Sequence, residues 1–224
     1  MPPDIEAKVH EWRIESREYA RHEARRGRRF AFTGLVPART ALVVVDMVPF
    51  FVAGNPYGLG IVPNIARIAD GLRSAGGTVA WVLPGAGERT SVGDEFFGPE
   101  VAEAYRTCGG TGPPAERLWR DFTVHQGDLL VEKFATSAFF PGRSRLPGLL
   151  EQRGIDNVLI TGTLTNVCCE SSARDASTLG YRVVLVADAN AARRDEDHNA
   201  TLHTVYRSFG DVRPTSEVLG LIGA

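Results

Sequence analysis

Five short, nearly continuous apolar runs constrain the fold of this chain more than any other feature. They are rich in β-branched residues and alternate with helical segments, which is typical of strands buried on both faces of a parallel sheet. Right-handed crossovers then predict a three-layer α/β/α fold whose central, mostly parallel sheet has about six strands. The runs are ALVVVDM at 41–47, TVAWVL at 78–83, DLLVEK at 128–133, NVLITG at 157–162 and YRVVLVAD at 181–188, with a short DVRP segment at 211–214.

The segment before the first run has a different pattern. Within 4–29, apolar residues recur at spacings near three, four and seven, so a charged helix with a narrow apolar stripe is predicted. Such a helix either packs on its own domain or docks on a neighbouring subunit, and the sequence favours neither. We therefore divide the chain into an N-terminal helical arm, 1–37, and one α/β domain, 38–224. The stripe residues are Ile5, Val9, Trp12 and Tyr19.

The remaining helices are predicted between the strands, and two Gly- and Pro-rich stretches interrupt the alternation. The stretches 84–99 and 106–116 are interpreted as loops that cover a site, because they exceed the usual length of a connection. Neither contains a phosphate-binding motif. The predicted helices are 63–75, 145–153, 166–180 and 195–209.

Composition excludes several functional classes. The formal net charge is −2, which does not suit a nucleic-acid partner or a basic membrane-binding surface. No apolar run approaches the roughly 20 residues of a membrane span. Three cysteines cannot form a disulfide framework, which fits a reducing compartment, so we expect a cytoplasmic protein with a small-molecule substrate.

Several residues capable of chemistry follow predicted strands directly. Asp46 ends the first run, Lys133 ends the third, and Cys168 follows the fourth. Because carboxyl ends of parallel strands meet at one edge of a sheet, these side chains are expected to converge. Lys133 is one of only two lysines in a chain that otherwise uses Arg, which suggests a need for a compact ammonium group.

The adjacent cysteines Cys168 and Cys169 are predicted to differ. Thr165 and Asn166 can cap a helix that begins near Val167, which places Cys168 in its first turn. There the helix dipole is expected to lower the pKa of the thiol. Cys169 lies about 100° further around the helix and is interpreted as a packing residue. A thiol beside a carboxylate and a cation indicates nucleophilic catalysis.

Three motifs along the chain match one known family. They are VVVDM followed by a Phe, then VEKFATSAFFP, then ITGTLTNVCCESSARDASTLGYRVVLVADA. Together they resemble the isochorismatase-like cysteine hydrolase superfamily over roughly residues 38–215, in its amidohydrolase branch with an Asp-Lys-Cys triad. The resemblance implies an isochorismatase-like, Rossmann-like topology for residues 38–224.

The resemblance also implies roles for particular residues. Asp46 resembles the general base, Lys133 the cation that keeps the thiol ionised, and Cys168 the nucleophile. A cis peptide bond is implied between Thr163 and Leu164, and the backbone N–H groups of Leu164 and Cys168 are implied to form an oxyanion hole. No cofactor is implied.

This chain differs from two groups within the family, and each difference limits the reaction that it is expected to catalyse. True isochorismatases have Gly at the position of Cys168, so the thiol favours acyl transfer. Nicotinamidases have an Asp-x-His metal element soon after the first Asp, whereas residues 46–56 here read DMVPFFVAGNP, so we expect no metal. His198 and His203 are five residues apart and are interpreted as surface or packing residues.

The predicted function is hydrolysis of a C–N bond in a small amide, ureido or carbamoyl compound, or lactam, through a thioester with the enzyme. Three alternatives stay open at this point. They are hydrolysis of a vinyl ether, a non-catalytic binding role, and redox sensing by the adjacent cysteines.

The substrate pocket is expected to have aromatic walls, since aromatic residues follow several predicted strands. Relatives in the family form dimers and tetramers, so a homodimer or homotetramer that uses the arm is expected. The predicted pocket residues are Phe50, Phe51, Trp81, Tyr105, Phe134, Phe139, Phe140 and Asn166.

Overall fold

The central sheet has six strands, all parallel, in the order β3-β2-β1-β4-β5-β6, which confirms the predicted fold class. The structure is a computed structural model that describes residues 5–224. Strand β1 is central, and its residues are buried throughout because helices cover both faces. The strands are β1 Thr40–Val45, β2 Thr78–Pro84, β3 Leu129–Lys133, β4 Asn157–Thr163, β5 Arg182–Ala191 and β6 Asp211–Arg213.

Helices pack on the two faces of the sheet and form two hydrophobic cores. Ala41, Val43 and Val45 face one core, and Leu42 and Val44 face the other, as the alternation along a strand requires. No helix in residues 5–224 combines the length and apolar composition needed to cross a membrane. The helices are α1 Ser16–Arg26, α2 Pro49–Val52, α3 Pro56–Gly60, α4 Val62–Ser74, α5 Ser91–Phe97, α6 Pro99–Arg106, α7 Leu146–Gln152, α8 Glu170–Thr178, α9 Asp195–Ser208 and α10 Thr215–Ile222.

The prediction of a loop over 84–99 is wrong, because this stretch contains α5 and the start of α6. Thr90 caps α5, and its side-chain oxygen accepts a hydrogen bond of 3.0 Å from the Gly93 N–H. Gly98 then separates the helices with a φ of 80°, and Pro99 begins α6, where its missing N–H costs nothing. The two helices form a hairpin beside the carboxyl ends of β1 to β3.

The predicted helix over 4–29 is only partly correct. Asp4 lies outside the described residues, residues 5–15 are not helical, and α1 covers Ser16–Arg26. Backbone N–H groups of residues 5–15 donate hydrogen bonds to the domain instead of forming the internal hydrogen bonds of a helix. The Lys8 N–H donates to the Pro56 carbonyl at 3.0 Å, and the Arg13 N–H donates to the Asn199 side chain at 2.8 Å. The division into an arm and a domain stays a prediction.

His10 anchors the arm to the domain. Its ring is stacked between those of Tyr57 and His198, at centroid distances of 3.8 Å and 4.1 Å. Nδ1 bonds to the Asp195 carboxylate, and Nε2 accepts a hydrogen bond of 3.0 Å from the Ala192 N–H. Burial lowers the pKa of His10, although Asp195 acts in the opposite direction. The ring is therefore neutral, with its proton on Nδ1.

Replacing His10 by alanine is expected to lower the free energy of unfolding by about 2–3 kcal/mol. The substitution removes a buried ring and leaves buried polar groups without a partner. Urea unfolding monitored by circular dichroism measures the change. Glu11→Ala is the matched control, since that neighbouring side chain is exposed. Equal unfolding midpoints for the two variants would contradict the anchoring role.

Candidate active site

Asp46 lies directly after β1 with its side chain buried, being 1% exposed. Its backbone has a φ of 53°, a conformation unusual for a residue other than glycine. Two hydrogen bonds of 2.8 Å hold it there: its N–H donates to the Val82 carbonyl, and the Thr163 hydroxyl donates to its own carbonyl oxygen. The carboxylate position is thus fixed by the ends of β1, β2 and β4.

Lys133 is the last residue of β3 and meets Asp46 across the strand ends. Its Nζ lies 2.9 Å from Asp46 Oδ2, and the lysine is 4% exposed. The same ammonium group donates to the Ala135 carbonyl at 3.1 Å and approaches the Cys168 Sγ at 3.6 Å. Three acceptors therefore surround one buried cation.

Cys168 lies in a π-helical turn, Thr165–Cys169, that precedes α8. The predicted single helix over 166–180 is thus divided, and the Cys169 N–H bonds five residues back, to the Leu164 carbonyl at 3.2 Å. Ser172 fixes the turn, since its hydroxyl donates to the Cys168 carbonyl at 2.6 Å and accepts from the Ala138 N–H at 2.9 Å. The loop that follows β3 is thereby tied to the turn that carries the thiol.

Cys169 has the packing environment expected from the sequence. It is fully buried in a hydrophobic core, whereas the Cys168 thiol faces the cavity described below. Burial raises the pKa of Cys169 well above its ordinary value. A thiol in that environment is protonated and inert.

The expectation of a lowered pKa for Cys168 is wrong for the free protein. Burial and the Asp46 charge raise the pKa of this thiol, and the nearby Lys133 offsets only part of the effect. A helix end carries only about half a charge, which cannot compensate for the loss of water around a thiolate. The thiol is therefore neutral at rest, and its sulfur lies 3.6 Å from the Lys133 Nζ that pairs with the Asp46 carboxylate.

Burial acts on Asp46 and Lys133 in opposite directions. It raises the pKa of Asp46, against the effect of the Lys133 charge. It acts to lower the pKa of Lys133, but the Asp46 carboxylate and the Cys168 sulfur reverse this, and the pKa is raised. The lysine is charged and pairs with the carboxylate, which leaves the carboxylate as the group that can accept the thiol proton.

These three side chains lie in a cavity of about 620 Å³. Leu164 also lines this cavity, and the Thr163–Leu164 peptide bond is cis, at the position that the family resemblance implies. The other lining residues come mainly from the α5–α6 hairpin and from the loop after β3. They are Phe51, Pro84, Gly85, Gly87, Glu88, Arg89, Thr90, Gly93, Asp94, Phe97, Ala102, Tyr105, Arg106, Cys108, Phe134, Ala135, Thr136 and Val167.

Of the aromatic residues predicted for the pocket, Phe51, Tyr105 and Phe134 line the cavity. Phe50 packs edge-on against Phe51 and Tyr105, at centroid distances of 4.9 Å and 6.0 Å, without lining the cavity itself. Phe140 is half exposed and does not line the cavity.

Three other predicted pocket residues lie elsewhere. Trp81 is buried on the opposite face of the sheet, where its Nε1–H donates to Asp128 at 2.8 Å. Phe139 is fully buried in a hydrophobic core. Asn166 is exposed and does not line the cavity. For Trp81 and Phe139, residue type alone could not distinguish a core aromatic from a pocket aromatic.

The sequence pattern did not reveal the α5–α6 hairpin, which brings Phe97 and Arg106 to the cavity lining, with Arg89 just before it. A capping Thr90 and a Pro99 at the start of a helix were the signals that could have revealed it. Gly and Pro content outweighed these signals when the stretch was interpreted as a loop.

His198 is a packing residue rather than a surface one. It is fully buried, and its Nδ1 lies 2.9 Å from the Thr165 hydroxyl of the π-helical turn. Burial lowers its pKa to about 3, so the ring is neutral. Within the part of the chain that the structure describes, no group of three or more His, Cys, Asp or Glu residues could hold a metal ion.

A family model and a curated relative both match most of this chain. The isochorismatase domain model matches residues 40–217. The ureidoacrylate amidohydrolase RutB of Caulobacter vibrioides is 36% identical over 225 residues, covering 84% of this chain and 92% of that protein.

Solved structures of two hydrolases are similar to this chain over most of its length. A cysteine hydrolase from Pseudomonas syringae pv. phaseolicola has a TM-score of 0.71 at 26% identity, covering 87% of this chain and 97% of that chain. The N-carbamoylsarcosine amidase from Thermoplasma acidophilum has a TM-score of 0.64 at 27% identity, covering 79% and 96%.

Proposed function

The chain belongs to the isochorismatase family, and we propose that it is a cysteine-dependent hydrolase that cleaves a non-peptide C–N bond through a thioester. One observation carries the proposal: the Cys168 thiol, the Asp46 carboxylate and the Lys133 ammonium group meet in a single cavity. The names of the relatives, an amidohydrolase and a carbamoylsarcosine amidase, support the same bond type.

The first half of the reaction acylates Cys168. Asp46 takes the thiol proton while the sulfur attacks the substrate carbonyl carbon, and the carbonyl π electrons move to oxygen. Backbone N–H groups of Leu164 and Cys168 are the proposed donors to this oxyanion, each worth about 3 kcal/mol in comparable enzymes. The oxyanion collapses, the C–N bond breaks, and the amine leaves with the proton that Asp46 had taken.

The second half hydrolyses the thioester. Asp46, again ionised, removes a proton from a water molecule that attacks the thioester carbonyl. The C–S bond then breaks, and the proton held by Asp46 returns to the sulfur. The acid is released, and Lys133 stays charged throughout, stabilising the carboxylate and the departing thiolate.

The pH dependence of kcat/KM follows from the buried base. Burial raises the pKa of Asp46, and the base must be ionised to take the thiol proton. Activity should therefore rise as the pH increases through a pKa above the ordinary aspartate value of about 3.9. A pH profile of kcat/KM checks this, and full activity persisting down to about pH 4 would contradict it.

Mass spectrometry of peptides from the acylated protein tests the proposed function. The protein is incubated with a panel of small amides, ureido compounds and lactams, quenched in acid and digested. We expect an adduct of the acyl mass on Cys168 and none on Cys169. A Cys169→Ala variant should give the same adduct. If product forms while Cys168 stays unmodified under rapid quenching, the thioester mechanism is wrong.

A further inference from the structure

Beyond the three reactive groups, the lining of the cavity includes four aromatic side chains, those of Phe51, Phe97, Tyr105 and Phe134. Phe97 and Tyr105, both from the α5–α6 hairpin, contact each other with ring centroids 5.2 Å apart. The Phe134 ring packs against Gly85, where a Cβ atom would come within 2.3 Å of the ring. Phe97, Tyr105 and Phe134 are each about half exposed, at 48%, 47% and 49%, so their rings have free surface for a ligand.

The cations that line the cavity are neutralised by neighbouring carboxylates. Arg89 Nε donates to both oxygens of Asp94, at 3.1 Å and 2.8 Å. Arg106 forms two hydrogen bonds to Glu103, one of them 2.7 Å from Nε to Oε2. Lys133 is paired with Asp46. Across the described residues of this lining, every arginine and lysine therefore has an acidic partner.

This pairing determines which acyl groups bind to the cavity with a favourable free energy. A carboxylate on the substrate would lose its water and meet guanidinium groups whose charge is already balanced. An apolar ring would remove the exposed faces of Phe97, Tyr105 and Phe134 from water, which is favourable. The cavity is therefore expected to bind an uncharged, apolar acyl group more tightly than a carboxylate-bearing one.

We propose that this cavity selects uncharged amides whose acyl group carries an apolar ring such as phenyl, and that Glu103 and Asp94 set the selectivity by neutralising Arg106 and Arg89. The inference rests on the proposed amide hydrolysis at Cys168. It adds the chemical class of the substrate and the two acidic residues that exclude its carboxylate-bearing analogues.

Two primary amides of similar length provide the test. One is 3-phenylpropanamide and the other is succinamate, whose acyl chain ends in a carboxylate. We expect kcat/KM of the wild type to be at least about tenfold higher for the phenyl amide. Phe97→Ala should lower kcat/KM for the phenyl amide about tenfold and lower it less for succinamate, which has no ring to contact Phe97.

A charge variant tests the acidic residues separately. Glu103→Gln frees the Arg106 guanidinium and is expected to raise kcat/KM for succinamate about three- to tenfold, with little effect on the phenyl amide. Glu100→Gln is the matched control, because it removes one charge from an exposed position of the same helix outside the cavity lining.

The outcomes separate this inference from the proposed function. A wild-type preference for succinamate, or an equal response of Glu103→Gln and Glu100→Gln, would overturn the charge selectivity while leaving amide hydrolysis intact. If other amides of the panel acylate Cys168 but the phenyl amide does not, the apolar class is wrong. If no amide acylates Cys168, the proposed function itself fails.

Discussion

Cys168→Ala is expected to lower kcat/KM by about 10⁴-fold or more for any amide that the wild-type protein hydrolyses. The variant has no sulfur to form the thioester, and the remaining groups of the cavity can only bind the substrate and activate water. Steady-state assays at high enzyme concentration measure the residual rate, and circular dichroism verifies that the variant is folded.

The other two cysteines are the controls for this result. Cys169 is buried in the core, so Cys169→Ala should retain most of the activity despite a loss of packing. Cys108 lines the same cavity, but the Lys133 ammonium group bonds to the sulfur of Cys168, at 3.6 Å, and to the Ala135 carbonyl. Cys108→Ala should therefore also remain active. Loss of turnover in Cys108→Ala together with full turnover in Cys168→Ala would assign the nucleophile to Cys108.

Lys133→Met is expected to lower both activity and stability. The substitution leaves the Asp46 carboxylate buried without its ion-pair partner, which should lower the free energy of unfolding by about 3–5 kcal/mol near pH 7. The carboxylate then tends to take up a proton and can no longer act as the base, so kcat/KM should fall about 10²- to 10⁴-fold. Urea unfolding and steady-state kinetics measure the two losses.

The sign of the pH effect identifies the cause of that instability. Without Lys133 the pKa of Asp46 in the folded variant is raised further, whereas in the unfolded chain it is about 3.9. The stability deficit relative to the wild type should therefore grow as the pH rises above the pKa of Asp46 in the folded wild type, which burial already raises, and shrink toward lower pH. A deficit that is independent of pH would point to lost packing instead.

A double variant separates the electrostatic effect from damage to the fold. Asp46→Asn combined with Lys133→Met removes both charges, so much of the lost stability should return while activity stays low. If the double variant is no more stable than Lys133→Met, the buried ion pair is not the source of the instability.

The sheet was predictable from the sequence because buried parallel strands have a distinctive composition. In a globular domain, short runs rich in Val, Ile and Leu are typically buried strands of a parallel sheet. Their order along the chain limits the possible topologies. The positions of Asp46, Lys133 and Cys168 then followed from one rule, that the carboxyl ends of parallel strands share an edge. The structure brings these three residues together.

The charge state of Cys168 and the identity of the pocket residues were not predictable in this way. The pKa of the thiol depends on burial in the folded chain and on the charges of residues far away in sequence, Asp46 and Lys133. Trp81 belongs to the core because its ring nitrogen bonds to Asp128, a partner that no local pattern identifies. Such contacts are properties of the folded chain.

The docked arm sets the order in which the molecule can be completed during synthesis. The arm bonds to residues from the last part of the chain: His10 to Asp195, His22 to Tyr206, and the backbone of Ala31 to Asp211. The arm therefore leaves the ribosome well before the residues that it bonds to and can dock only after they have been synthesised. Such long-range pairing slows folding, and it leaves the ring of His198, which bonds to Thr165 of the π-helical turn, without its His10 stacking partner until the arm docks.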